Sequence, residues 1–288
     1  LEVDCHIVSA TTTALHNLVK CIQQVGLAID DIVFAAWAAS GVVLTPTEKE
    51  LGVMLLDIGG GTTGINIFID DAICYSGCLP VGGGNITSDL AIGLRISLDD
   101  AEKIKSNLSE ILSEKKELSI DYDVPPIARQ KIKDDSDSEE ETVDDDEIDV
   151  SHLNISGLSK VSRIFVREIV EARVEEICSL VVAQVGQSGF DTNMPAGVVL
   201  TGGTSLIPGL NKIAQTVFGV PVRVGYPTGL GGLIDEVSGP DFATGQGLVV
   251  YGLENERQMI SSGGFGQASE IGGGIFEKIS SWFKSLLP

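Results

Sequence analysis

The sequence predicts an α/β fold, on three observations. Strand-like and helix-like runs alternate from the first residues onward, the pattern of a parallel sheet flanked by helices. Two apolar strand runs, ending at Asp57 and Thr201, open directly into clusters of glycine and threonine. Apolar residues make up 43% of the 288, enough for a sizeable core, which excludes a wholly disordered chain. A chain of this length fills about two domains.

Residues 3–9 read as a strand. A helix follows over 11–27, with Ala14, Leu15, Leu18, Val19, Ile22 and Val25 recurring at helical spacing and Gly26 placed to end it. A second strand over 30–36 and a short apolar helix ending near Pro46 complete a strand–helix–strand alternation. From Leu51 the pattern becomes sheet, with strands over 51–59, 63–69 and 72–81 joined by tight turns. Residues 81–94 pass from a glycine turn into a helix, and 99–108 open another with Asp99 or Asp100 as its cap. A long helix is expected over 159–186, then a strand at 196–201, a turn, and a helix over 208–218 with Pro208 near its start. A strand at 220–225 and a helix over 241–253 follow. Residues 261–274 have the composition of a flexible linker.

The net charge of −22, from 41 acidic and 19 basic residues, argues against a nucleic-acid binder, which needs clustered Lys and Arg. Eleven of those acids fall in residues 134–149, which hold no base and half of the net charge. That stretch reads as a solvated loop, with an interaction tail as the alternative. Five cysteines, an odd number at scattered spacings, do not read as a disulfide framework. Cys74 and Cys78 suggest the start of a metal site, but no second pair follows, and His6, His16 and His152 lie elsewhere in sequence. Free thiols in a reducing cytosol are the reading. No apolar run approaches the ~20 residues that span a bilayer. The first residues carry no signal-peptide pattern and no initiator Met, so the chain is expected to begin inside a domain.

Two motifs carry chemistry. Asp57-Ile58-Gly59-Gly60-Gly61-Thr62-Thr63 stands between two apolar strands. Its glycines let backbone N–H groups approach phosphate oxygens, the hydroxyls of Thr62 and Thr63 add donors, and an Asp at a strand end suits Mg²⁺ held through water. A plain glycine hairpin is the alternative. The second motif runs from Val198 through Thr201, Gly202, Gly203 and Thr204 to Ser205, again a strand, a glycine turn and a helix start, where N–H groups favour anionic or polar ligands. Close packing alone also explains such glycines.

The last residues make their own argument. At 100° per residue, Ile275, Phe276, Ile279, Trp282, Phe283, Leu286 and Leu287 fall within an arc of about 140° that excludes every Glu, Lys and Ser. Lys278 and Lys284 flank it, suited to anionic headgroups. This is the pattern of an interfacial membrane anchor; a helix docking on its own domain is the alternative. Seven side chains at about 1.5–3 kcal/mol each exceed ordering costs modestly, so attachment is expected to be reversible.

The first motif resembles the second phosphate loop of the actin, Hsp70 and sugar-kinase ATPase superfamily, and the block from Val198 to Leu210 resembles its adenosine loop. Residues 6–27, 49–63, 79–97 and 201–210 together resemble the FtsA family of bacterial cell-division proteins. The resemblance covers nearly the whole chain apart from the acidic stretch and the terminal linker. It implies an actin-like ATPase (ribonuclease H-like) fold, present in part, with a C-terminal amphipathic helix. Residues 1–50 become the remainder of a first subdomain (1A), and 51–98 with 191–239 a second large subdomain (2A). Residues 99–190 become a smaller one (2B) containing the acidic insert, 240–257 a helix returning to the first subdomain, 258–274 a linker, and 275–288 a membrane-targeting helix.

The same resemblance implies that Asp57 orders Mg²⁺ through its waters, that Gly59, Gly60, Gly61, Thr62 and Thr63 hold the phosphates of ATP, and that Gly202, Gly203 and Thr204 line the adenosine. Glu171 and Glu175 fall where relatives contact ribose and base, with a solvated helix face as the alternative. Gly82 and Gly83 shape the cleft wall or serve packing alone. Implied partners are the C-terminal tail of FtsZ at about residues 99–190, further copies of the protein in actin-like filaments, inner-membrane lipid and other division proteins, at the cytoplasmic face of the membrane. There are departures. The family's first phosphate loop and small inserted subdomain are not in this sequence. Gly64 stands where many relatives carry Asp, and Leu206 where the chaperones carry an adenine-stacking Arg. The resemblance therefore carries nucleotide binding and not hydrolysis. An Hsp70-like or sugar-kinase-like enzyme is the competing reading, which gives the terminal amphipathic helix no purpose.

Overall fold

A computed structural model describes residues 3, 5–112, 146–190, 194–231 and 236–261. Its centre is a five-stranded sheet built from β1 (Val53–Ile58), β2 (Thr63–Ile69), β3 (Ala72–Leu79), β6 (Val198–Thr201) and β7 (Val222–Val224), in the order β3-β2-β1-β6-β7. The sheet is mixed. β1, β2 and β3 form an antiparallel meander, and β1, β6 and β7 run parallel.

β1 is apolar on both sides because the sheet is covered on both. Met54, Leu56 and Ile58 point into one core with Ile65 and Ile67 of β2. That face is covered by α4 (Gly83–Leu94), α5 (Leu98–Ser106), α7 (Arg163–Gln187) and α8 (Leu210–Phe218). Val53 and Leu55 point the other way, to Phe68, Val199 and the helices α2 (Ala35–Val43) and α9 (Ala243–Ser261). Asp57, two residues beyond Leu55, therefore turns toward α9 by simple alternation.

Clamps between elements use charge. Arg173 of α7 grips Asp89 of α4 through Nε and Nη2, the latter at 2.8 Å from Oδ1. The short α3 (Pro46–Leu51) starts in a capping box between Thr45 and Glu48, and Arg223 of β7 holds the same Glu48 carboxylate at 2.6 and 2.7 Å.

Several sequence expectations change. The strands at 3–9 and 30–36 do not form: those residues have no ladder among the described residues, and Ala35 already opens α2. A strand needs a neighbour to pair with, and among the described residues the link from 3–9 to the sheet's edge strand β3 is a side-chain hydrogen bond between His6 and Ser76. The helix between them forms as α1 (Thr12–Gln24), yet buries none of its residues fully. The expected cap of α5 shifts to Ser97, whose hydroxyl accepts from Asp100 N, while Asp99 and Asp100 sit in the first turn. The acidic stretch does not end as loop. β4 (Glu147–Asp149) pairs antiparallel with β5 (Lys160–Ser162), so α7 starts at Arg163 rather than near 159. Asp146 accepts from Ile164 N at 2.7 Å and from the Ser162 hydroxyl, tying this ribbon to the helix start. α9 runs to Ser261, past residue 253 where the sequence pattern ended it and past the 257 that the resemblance implied. The rest of the acidic run (134–145), the linker from 262 and the amphipathic helix 275–288 lie outside the described residues.

All five cysteines are free thiols. Among the described residues no helix is long and apolar enough to cross a membrane, and no three His, Cys, Asp or Glu side chains gather as a metal site.

Candidate functional site

The two glycine turns leave neighbouring parallel strands at the same end, because Asp57 of β1 stands beside Thr201 of β6. The first is a hairpin tip in which Gly59 N donates to Thr62 O at 2.9 Å. Two other elements hold this tip. The first turn of α4 donates from Gly83 N to Gly59 O at 2.9 Å and from Gly84 N to Gly60 O at 2.6 Å. These are N–H groups a helix start leaves unpaired, and here they grip the hairpin. From the second turn, the Thr204 hydroxyl donates to the same Gly59 carbonyl at 2.9 Å. The approach is close enough to demand glycine: a Cβ on Gly82 would lie 2.5 Å from Gly59 O, and one on Gly83 2.5 Å from the Thr204 oxygen.

Gly202 bends the second turn with φ +82°, and a Cβ there would meet Ile58 O at 2.5 Å. Its N–H donates to Pro240 O at 3.1 Å, at the entry to α9.

Beside this junction lies a hollow of about 620 Å³ lined by Gly60, Gly203, Thr204 and Leu206, with Glu102, Lys105 and Ser106 of α5 on its polar wall. Gly60 and Gly203 thus face one shared space. Lys105 Nζ stands 2.7 Å from Glu102 and donates to the Thr87 hydroxyl at 2.9 Å, while that hydroxyl reaches Glu102 at 2.6 Å. Burial pushes the Glu102 carboxyl up, but the hydrogen bonds from Lys105 and Thr87 outweigh it and hold the group below its ordinary range.

Asp57 sits on the α9 side of the hairpin tip rather than in the lining of that hollow. Burial pushes its carboxyl up, opposed by the Thr244 hydroxyl, which donates to Oδ2 at 3.0 Å.

The other expected site residues separate. Gly61 and Thr62 are exposed at the tip, while Thr63 is fully buried and donates its hydroxyl to Val81 O at 2.9 Å. That hydroxyl is committed to the fold and offers no donor to a ligand. Glu171 and Glu175 lie on the exposed face of α7 and do not line the hollow. Glu102, Lys105 and Ser106 of α5 line it instead. The signal was available: these are polar side chains at i, i+3 and i+4 on one face of α5, and the sequence reading used that helix only for its cap. Gly64, which pairs with Asp57 across the strands, leaves no room for a side chain, since a Cβ would stand 2.8 Å from that of Ala36.

The family described as Cell division protein FtsA matches residues 54–247, a span holding both turns, α5, Asp57 and Thr244. The chain belongs to the FtsA family. It is 34% identical to FtsA of Pseudomonas aeruginosa over 285 residues, covering 98% of this chain and 62% of that protein. FtsA of Neisseria meningitidis is also 34% identical, at 99% and 63% coverage, and FtsA of Bacillus subtilis 34%, at 89% and 51%. The chain therefore spans about half to two-thirds of the length of these FtsA proteins. Among solved structures, MreB5 of Spiroplasma citri bound to AMPPNP aligns with a TM-score of 0.58 at 18% identity, covering 88% of this chain and 68% of that one. A PilM–PilN type IV pilus biogenesis complex aligns at 0.53 and 16% identity, covering 83% and 58%. At such identities these likenesses concern the fold, which is that of the actin-like ATPases, as the glycine motifs led us to expect.

Proposed function

We propose that this chain is the part of an FtsA that supplies one wall of an ATP site and the membrane-facing end of the molecule. The observation that carries the reading is the junction of the two turns, with Thr204 bonded to Gly59 beside a hollow walled by Glu102, Lys105 and Ser106. Gly59, Gly60, Gly61 and Thr62 offer backbone and hydroxyl donors to phosphates. Gly202, Gly203 and Thr204 border the adenosine, and the α5 side chains face ribose and base in the stead of Glu171 and Glu175. Gly82 and Gly83 act by letting α4 grip the hairpin. The fold neighbour MreB5, solved with ADP and with AMPPNP, lends support.

Asp57 fits magnesium. Mg²⁺ is held by one or two carboxylates together with phosphates and water, and a lone carboxylate whose burial disfavours its charge gains from a nearby cation. The ion would neutralise phosphate charge. No catalytic residue is assigned, and the crowding at Gly64 agrees with binding without a hydrolytic Asp there.

In the complete protein, 275–288 anchors the molecule reversibly to the cytoplasmic face of the membrane at the division site. The subdomain of residues 99–190 takes the FtsZ tail, so that FtsZ polymers are tethered there, later division proteins are recruited, and copies of the protein assemble as actin-like filaments. Two experiments test this. Titrating the complete protein with Mg-ATP should show at least about tenfold weaker binding for Asp57→Ala, the scale of one lost charge-assisted contact; equal affinities reject the phosphate-loop reading. Liposome co-sedimentation should lose the protein from the pellet when 275–288 are removed, and equal pelleting rejects the anchor.

A further inference from the structure

The entry to α9 holds the ends of both central strands at once. Pro240 O accepts from Gly202 N at 3.1 Å, just past β6, and four residues later Thr244 Oγ1 donates to Asp57 Oδ2 at 3.0 Å, near the end of β1. The spacing of Pro240 and Thr244 is one helical turn, so one short segment reaches two adjacent strands.

The start of α9 packs closely on α2. Ala243 is 1% exposed in the core shared with α2, and the backbone of Gly247 approaches so closely that a Cβ would lie 2.0 Å from Ala38 O. Both residues pack the start of the helix closely against its neighbours, and Thr244 sits between them. The other carboxylate oxygen, Oδ1, lies beside Gly202, whose missing side chain leaves it room: a Cβ there would stand 2.6 Å away. A threonine in a helix often returns its hydroxyl to a carbonyl one turn back. Here it is bonded to Asp57 instead.

We propose that Thr244 is a positioning residue for Asp57, fixing the rotation of its carboxylate so that the oxygen not bonded to Thr244 is presented to a hydrated divalent cation. The inference rests on the reading of Asp57 given above. It assigns to the start of α9 a part in cation-assisted nucleotide binding, through a side chain that itself touches neither ion nor phosphate.

The test separates the two readings. ATP affinity of the full chain is measured by calorimetry in saturating Mg²⁺ and in EDTA, for the wild type, Thr244→Val, Thr244→Ser and Asp57→Ala, with a thermal melt of each. Thr244→Val should lose about tenfold of the affinity gained from Mg²⁺, the scale of one hydrogen bond to a charged group, and keep its affinity in EDTA. Thr244→Ser, which keeps the hydroxyl, should restore the wild-type response. Asp57→Ala should abolish the Mg²⁺ gain. If Thr244→Val responds to Mg²⁺ like the wild type while Asp57→Ala does not, the positioning role is overturned and Asp57 keeps its own. Equal losses for Thr244→Val with and without Mg²⁺, or a serine variant that fails to rescue, also overturn it, since both mark a packing role. An unchanged Asp57→Ala removes both readings.

Discussion

Gly60 and Gly82 share a chemical identity and differ in what surrounds them. A Cβ on Gly60 meets nothing within 4 Å, whereas one on Gly82 would lie 2.5 Å from Gly59 O and 2.9 Å from Gly60 O. Gly60→Ala should leave the urea midpoint unchanged while weakening nucleotide binding, because the new methyl enters only the hollow. Gly82→Ala should lower stability by about 1–3 kcal/mol, the range for overpacking, and weaken binding as well. Equal midpoints for the two variants would contradict the grip of α4 on the hairpin. At Asp57 the effects divide differently. Burial raises its carboxyl above the unfolded value, so the ionised form disfavours the folded state, and that penalty fades as pH falls through the folded-state pKa toward about 3.9. Asp57→Asn should therefore raise Tm at neutral pH and flatten this contribution to the pH profile, while removing the Mg²⁺ dependence of nucleotide binding. A melt that drops instead would show the carboxylate to be stabilising.

Among the elements, α4 and α7 meet through the Arg173–Asp89 clamp, whose side chains are 23% and 26% exposed. For a bidentate pair this sheltered, Asp89→Asn should cost about 1–2 kcal/mol, between the values for exposed and buried pairs, read as a shift of the urea midpoint at constant slope. The acids that hold element starts behave as a group. Asp146 is held below its ordinary range by the Ser162 hydroxyl and the Ile164 N–H, Asp149 by Ser151, and Asp100 by Lys103 and Ser97. Lowered carboxyls lend stability that is full above their unfolded values and is lost as pH falls through the folded ones. Acid unfolding should thus begin below about pH 4, and at higher pH in Asp146→Asn, which lacks one of these groups. The same scale shows what sequence reading reaches. β1, β2, β3 and β6 were legible because their apolar runs are bounded by turn residues, and the long α7 because its periodicity is sustained. The ribbon of β4 and β5 was not, because three-residue strands carry no period and Glu147 and Asp149 share their composition with the acidic run before them. The strand expected at 3–9 had the right residues and lacked a neighbour, which no local pattern records.

At the scale of the molecule, each glycine turn was visible in the sequence, and the junction between them was not. Thr204 and Gly59 are 145 residues apart, and only the parallel pairing of β1 with β6 makes them neighbours. Glu102 and Lys105 join the hollow for the same kind of reason, since α5 reaches it by packing on α4. That arrangement has an engineering corollary. The distance between the two turns is set by a ladder of backbone bonds and is indifferent to how much polypeptide is spliced into the excursion that separates β3 from β6. A fluorescent reporter grafted at Gly157, in the exposed turn between β4 and β5, should leave the ATP titration curve superimposable on that of the parent, because each doubling of a loop adds only about 0.6 kcal/mol of closure entropy. Such a fusion would make the molecule visible without disturbing the ladder that keeps the two turns adjacent.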